Sequence, residues 1–202
     1  MKKIFLVYGG KKIANANGDI NKALFDVDVS FFTEDNGFEF KYTDINDAYN
    51  ADEEVDNFLW ADAIIYHFPI WWMGMPYPLK EYIDRVFTEG HRKGMYRSDG
   101  RKSDNPAINY GTGGLMHGKK YMVTTSWNAP ETAFTLPGEF FQQRSVDDGV
   151  LFGFHRMNAF VALEPLQNMH FHDIEKNSSP EYIKQLLNNY KNHLSQLFSL
   201  VD

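Results

Sequence analysis

The chain has 202 residues, 43% of them apolar and 16% aromatic, and a formal net charge of −7. This length and apolar content can bury one sizeable core and argue against disorder, and the acidic balance argues against a nucleic-acid binder. The lack of cysteine excludes disulfides, thiol catalysis and iron–sulfur clusters. The first apolar run ends at Gly-Gly too soon for a signal peptide, and no later run could span a bilayer, so we expect a cytoplasmic protein without membrane insertion.

Apolar runs and amphipathic stretches alternate along the chain. Strands are predicted at 3–9, 38–42, 62–69, 119–126 and 160–166. Helices are predicted from about residue 18, over 51–61, 76–90 and 136–145, and from Ser179 onwards. Residues 91–118 are polar and rich in Gly, Ser and Asn, which is typical of a long excursion. The alternation predicts a single α/β domain over residues 1–202, a doubly wound fold with a five-stranded parallel sheet and helices on both faces.

In this architecture, ligands bind beyond the carboxyl ends of the strands. The segment "NANGDIN", residues 15–21, opens the first helix after the first strand. Its backbone N–H groups would suit a phosphate, with Gly18 allowing close approach. A helix cap by Asn17 or Asp19 is the simpler interpretation, and both stay open.

Tryptophans mark the other two loops at this edge. Trp71 and Trp72 follow the third predicted strand, and Trp127 follows the fourth. Each of them alone could fill the core. Together with Tyr110 on the excursion, they would line a flat, apolar slot suited to a stacked aromatic cofactor and a planar substrate.

Other motifs are weaker. "GGLMHGKK", residues 113–120, has Lys120 where a phosphate loop places Ser or Thr, and neither G-x-G-x-x-G nor G-x-S-x-G occurs. "MHFHD" holds His170, His172 and Asp173, but no third ligand at helical spacing accompanies the histidines. A surface segment is therefore favoured there, and no metal site is predicted.

Several segments resemble one known family. "FLWADAIIYHFPIWWMGMP", "LKEYIDRVFTEGH", "NYGTGG", "GKKYMVTTSWNAPETAF" and "LEPL" are similar to the modulator of drug activity B proteins, which are flavodoxin-like NAD(P)H:quinone oxidoreductases. The likeness covers essentially the whole chain. It implies a flavodoxin-like fold, a non-covalent FAD, a homodimer, and NADPH-dependent two-electron reduction of quinones.

The resemblance also implies which residues contact the cofactor. These FAD contacts are Ala16, Asn17, Gly18, Asp19, Ile20, Asn21, Lys22 and Ala23 on the phosphate side, Pro69, Ile70, Trp71 and Trp72 on the isoalloxazine side, Tyr110 on the excursion, and Ser126, Trp127, Asn128 and Ala129 after the fourth strand. Two positions depart from the family pattern. Family members often have Ser at the position of Ala16 and Gly at the position of Ile70. The loop around Ile70 must therefore have a backbone conformation that a β-branched residue tolerates.

Hydride would pass from NADPH to the flavin and then to a quinone such as menadione. Tyr110 and His117 are candidates for a proton or a hydrogen bond to the quinone oxygen. The cations that could meet a 2′-phosphate are Lys11, Lys12, Arg92 and Lys93. The alternatives are a one-electron flavodoxin-like carrier and a non-catalytic flavin-binding regulatory subunit of an ion-efflux system.

Overall fold

The structure is a computed structural model that describes residues 1–10, 19–176 and 179–198. Five residues singled out from the sequence lie outside this described part: Lys11, Lys12, Ala16, Asn17 and Gly18. None of the described helices is both long and apolar enough to cross a membrane.

A single sheet of parallel strands forms the centre of the domain. Its strands are β1 (Lys2–Tyr8), β2 (Phe38–Asp44), β3 (Ala63–Pro69), β4 (Lys120–Ser126), β5 (Glu164–Pro165) and β6 (Met169–Phe171). Their order is β2-β1-β3-β4-β5, and β6 also pairs with β4. The predicted flavodoxin-like sheet of five parallel strands is confirmed, with one short strand added. The strand order reverses at β1 and β3, and in open α/β sheets ligands bind at such a switch point.

Helices cover both faces of the sheet, as predicted. They are α1 (Asp19–Phe31), α2 (Ala51–Trp60), α3 (Tyr77–Glu89), α4 (Thr132–Thr135), α5 (Phe152–Phe160) and α6 (Pro180–Phe198). On one face, Leu24 of α1 and Tyr190 of α6 are buried in a common apolar cluster. On the other face, Phe58, Ile83 and Phe154 bring α2, α3 and α5 into a second cluster.

The helix predicted over residues 136–145 is wrong. This segment forms turns, with Gly138, Gln142 and Gln143 at φ of 84°, 54° and 58°. Such left-handed backbone cannot continue a right-handed helix. The helical structure of this region lies instead in the short α4 and in α5, and α5 was not predicted from the sequence.

The fifth predicted strand is also shorter than expected. Only Glu164–Pro165 of residues 160–166 pair with β4, because α5 extends to Phe160. The ladder resumes at β6, where His170 pairs with Thr125. The "MHFHD" segment therefore joins the sheet at the carboxyl end of β4, and its prediction as a surface segment is wrong.

Candidate active site

The carboxyl ends of β1, β3 and β4 lie side by side and form one edge of the sheet. At the end of β1, the Gly9 N–H donates to the His67 carbonyl at 2.7 Å. A Cβ atom at position 9 would lie 3.3 Å from that carbonyl oxygen. Glycine therefore lets the chain leave β1 close against β3, which brings the first loop to the switch point.

The first turn of α1 reaches across this edge to β4. The buried Asn21 side chain donates from Nδ2 to Ser126 Oγ at 3.0 Å. Its Oδ1 atom is buried and has no hydrogen-bond partner within the described structure. A buried polar atom without a partner costs roughly 1–3 kcal/mol, so this amide is suited to a ligand that brings its own donor. The neighbouring Lys22 instead pairs with Asp26 one turn along the exposed side of α1.

The loop after β3 is held by backbone hydrogen bonds. The Ile70 N–H donates to the Ser126 carbonyl at 3.0 Å. Trp71 and Gly74 exchange two backbone hydrogen bonds, of 2.9 and 3.0 Å, and so close a two-residue turn. Ile70 has no positive φ, so the substitution at this position is accommodated without left-handed backbone.

The two residues inside that turn are both strained. Trp72 and Met73 have φ of 45° and 58°, the conformation that a hairpin turn of this type normally gives to Asn or Gly. Left-handed backbone costs a non-glycine residue about 1–2 kcal/mol. The turn holds the Trp72 side chain 97% exposed at the sheet edge. Strain of this kind concentrates at functional sites, which favours a ligand-covering role for the Trp72 ring.

Trp127 has the opposite environment. It is only 5% exposed, and its ring packs edge to face on Phe134 and Phe141 at centroid distances of 5.0 and 5.9 Å. Its indole N–H donates to Thr125 Oγ1 at 2.6 Å. Trp127 is thus part of the core. Of the cofactor contacts expected in this loop, Asn128 is exposed and Ala129 is half-buried.

Tyr110 lies away from the switch point of its own chain. It is 71% exposed, its ring is 5.9 Å from that of Phe160, and it lines a cavity of about 320 Å³ beside the C-terminal half of α3. Because α3 begins near Trp71 and rises about 1.5 Å per residue, its lining residues Ile83 and Phe87 lie roughly 9–15 Å along the helix from that loop. The chain does not bring its own Tyr110 to the edge where Trp72 lies.

His117 is also separated from this edge. It is exposed and precedes β4, at the amino end of the strand, where it interacts with the charge of Glu164. Of the predicted residues, the structure brings together Asn21 and Ser126 with the loop of Ile70 and Trp72. Among the residues that the structure describes, no three potential ligand side chains are grouped so that they could hold a metal ion.

Sequence reasoning missed two groups of hydrogen-bonded polar side chains near this edge, one of them fully buried. One is formed by His67, which contacts Asp28 and Thr124, while the Tyr190 hydroxyl donates to Asp28 at 2.7 Å. Burial raises the pKa of Tyr190 well above its ordinary value, with the Asp28 carboxyl adding to the shift, so the hydroxyl stays a donor. A histidine inside the apolar run "AIIYHFP" was the available signal. The second group surrounds Asp147 and is described below.

A family model described as the flavodoxin-like fold matches residues 2–194. The chain belongs to the flavodoxin-like fold family. It is 42% identical over 196 residues to the NADPH:quinone oxidoreductase MdaB of Haemophilus influenzae, a match that covers 96% of this chain and 98% of that protein. The predicted membership of the modulator of drug activity B family is thereby confirmed.

Solved structures support the fold of this family member. A Klebsiella pneumoniae protein, provisionally named a quinone reductase, superposes with a TM-score of 0.75 at 21% identity and covers 98% of this chain and 86% of its own. The general stress protein 14 of Treponema denticola, solved in complex with FMN, superposes with a TM-score of 0.69 at 18% identity. The match covers 98% of this chain and 99% of that protein. At these identities the likeness concerns the fold alone.

Proposed function

We propose that this oxidoreductase is an FAD-dependent NADPH:quinone oxidoreductase that transfers two electrons to quinones such as menadione. The observation that carries the proposal is the buried Asn21 Oδ1 atom at the start of α1, which has no hydrogen-bond partner among the described residues, while Nδ2 of the same side chain donates to Ser126 at the switch point. The name of the Haemophilus influenzae relative supports the activity.

The residues at the edge fit a flavin. The first turn of α1, from Asp19 to Ala23, offers backbone N–H groups at a helix start, where phosphate groups bind. The Asn21 amide would accept a hydrogen bond from a ligand hydroxyl. The phosphate side would also include Ala16, Asn17 and Gly18, and the ring side would consist of Pro69, Ile70, Trp71 and Trp72.

The bound flavin would supply the redox chemistry, accepting hydride from NADPH and passing it to the quinone. This chain would orient the reactants and exclude water. The exposed Trp72 ring would cover a flat ligand, while the buried Ser126 and Trp127 hold the floor of the loop after β4. Because one slot would serve nicotinamide and quinone in turn, their binding would be mutually exclusive.

A homodimer is part of the proposal. Tyr110 can reach a flavin only if it comes from a second copy, since its own chain holds it beside α3 and α5. Ile108, two residues before Tyr110, is 53% exposed, and Phe152, which contacts the cavity residue Arg156, is 59% exposed. Homodimer interfaces are more apolar than the rest of the protein surface, so burial of these side chains would stabilise a dimer. Tyr110 would then donate a hydrogen bond to the quinone oxygen across the interface.

The identity of the flavin is the sharpest test. Protein purified without added cofactor should be yellow, release FAD on heating, and sustain the oxidation of NADPH beyond one equivalent per flavin when menadione is present. Chromatography of the released flavin separates FAD from FMN, the flavin in the complex of the Treponema denticola protein. Release of FMN alone would overturn the FAD assignment, and a chain that takes up neither flavin would overturn the function.

A further inference from the structure

Two donors converge on one carboxylate oxygen behind the loop that follows β4, and a third nitrogen lies close to it. His155 Nε2 and Asn168 Nδ2 each lie 2.9 Å from Asp147 Oδ1. His170 Nε2 lies 3.3 Å from the same atom, within ion-pair distance, but it makes no hydrogen bond among the described residues. His155 also contacts the Tyr121 hydroxyl through Nδ1 at 2.6 Å. Both nitrogens of His155 are therefore occupied, so this group of residues, the Asp147 cluster, holds side chains in place rather than transferring protons to a ligand.

The Asp147 cluster is connected to the candidate active site through His170. His170 Nδ1 lies 2.7 Å from Thr125 Oγ1, which also receives the Trp127 indole N–H at 2.6 Å. An indole nitrogen can only donate, so the Thr125 oxygen accepts from Trp127 and its own O–H can point to His170 Nδ1. His170 then carries its proton on Nε2, facing Asp147. The hydrogen bonds run in one direction, from Trp127 through Thr125 to His170.

The charge on Asp147 supports this arrangement. Burial would raise the pKa of Asp147, but its interactions with His155 and His170 outweigh burial and hold the pKa well below the usual range. Asp147 is therefore ionised at neutral pH, and its negative charge, 3.3 Å from His170 Nε2, favours a proton on that nitrogen. The acceptor on one side of a histidine ring decides which nitrogen carries the proton, and here it leaves Nδ1 free to accept.

The backbone of the loop is tied down separately. Three backbone N–H groups donate to backbone carbonyls here: Trp127 to Phe171 at 2.8 Å, Ile174 to Trp127 at 3.0 Å, and Asp173 to Ala129 at 3.1 Å. These bonds do not involve the His170 ring. Loss of the ring should therefore release the Thr125 and Trp127 side chains while the β4–β6 ladder persists.

We propose that His170, oriented by Asp147, is a positioning residue that fixes Thr125 and Trp127 and thereby shapes the flavin site. The inference rests on the proposed function, because it assigns to His170 a part in flavin binding. It gives the "MHFHD" segment a role that neither the family resemblance nor the metal hypothesis supplied.

The test compares His170→Leu with His170→Asn. The leucine variant removes both ring nitrogens, whereas an asparagine oxygen can occupy the place of Nδ1 and accept from Thr125. His193→Leu is the matched control. His193 lies on α6 and is also nearly buried, but its Nε2 contacts the Gln167 carbonyl at 2.8 Å rather than Thr125 or Asp147. The readouts are hydrogen-exchange protection of the Trp127 indole N–H in flavin-free protein, measured by NMR, and the Kd for FAD.

In His170→Leu, the indole proton should lose its protection and the Kd should rise roughly tenfold, as expected when a buried hydrogen bond is broken. His170→Asn should restore both toward wild type, and His193→Leu should change neither. Unchanged indole protection together with a Kd within about twofold of wild type in His170→Leu would overturn the inference. Failure of the proposed function is recognised separately, since the wild-type chain would then bind no FAD.

Discussion

Trp72 and Trp127 follow neighbouring strands of one sheet, yet their surroundings are opposite. Trp72 is 97% exposed on a turn with left-handed backbone, whereas Trp127 is 5% exposed, packed edge to face against two phenylalanines and hydrogen-bonded to Thr125. A place at the carboxyl edge of the sheet therefore does not by itself define a ligand contact. Trp127 is packed into the core and supports the fold. Trp72 is held on a strained turn with its ring exposed, where a ligand can contact it.

The largest expected effect is on the stability of the scaffold side. Trp127→Ala should lower the free energy of unfolding of the flavin-free protein by about 3–5 kcal/mol, since it leaves a cavity between Phe134 and Phe141. Urea denaturation measures this change. Trp72→Ala serves as the control and should stay within about 0.5 kcal/mol of wild type, as exposed substitutions do. Equal losses for both variants would remove the distinction between the two tryptophans.

The ligand side should show the reverse pattern. Trp72→Ala should weaken FAD binding or lower kcat/KM for menadione by tenfold or more, because stacking of a flat ring on an aromatic side chain contributes roughly 1–3 kcal/mol. Fluorescence titration of the flavin and steady-state kinetics measure the two quantities. Trp72→Phe retains an aromatic ring and should keep most of the FAD affinity and of the kcat/KM for menadione. Full affinity and activity in Trp72→Ala would show that the exposed ring has no ligand to cover.

Backbone strain at the turn can be isolated at Met73, where φ is 58°. Met73→Gly and Met73→Ala both remove the side chain, but only glycine relieves the left-handed conformation. We expect the glycine variant to be about 1 kcal/mol more stable than the alanine variant. Thermal unfolding of the two flavin-free variants measures the difference. An alanine variant as stable as the glycine variant would mean that the turn is not strained.

The smallest effect concerns pH and Asp147. Its pKa is lowered in the folded state, so its contribution to stability is complete above the unfolded-state value near ~4 and is lost as pH falls below it. The stability advantage of wild type over Asp147→Asn should therefore shrink between pH 5 and pH 3. Because the Asp147 side chain is 39% exposed, solvent screening keeps this change small. Asp148→Asn is the neighbouring control, and an advantage that grows toward pH 3 would contradict the assignment.

Most of the fold could be predicted from the sequence because it is encoded locally. The apolar run of β3 and the helical spacing of Leu79, Ile83 and Val86 in α3 identify their elements without reference to the rest of the chain. Residues 136–145 have apolar residues that suit a helix, but left-handed backbone at Gly138 decides against one. Pattern reasoning does not see that conformation.

The candidate site was predictable only in part. The loops of Trp72 and Ser126 follow from the rule for carboxyl ends of strands. The role of His170 does not, because β6 has only three residues and its place depends on pairing with Thr125, which is 45 residues away in the chain. The position of Tyr110 beside Phe160 likewise depends on how the excursion packs on α5. Contacts of this kind leave no periodic trace in the sequence.

The central claim is that one flavin slot at this edge serves NADPH and quinone in turn. Steady-state rates of the purified protein, measured over a grid of NADPH and menadione concentrations, test it most directly. We expect turnover with parallel lines in double-reciprocal plots, the pattern of an enzyme that releases the first product before it binds the second substrate. Intersecting lines would contradict a shared slot, and the absence of turnover in flavin-loaded protein would contradict the enzyme itself.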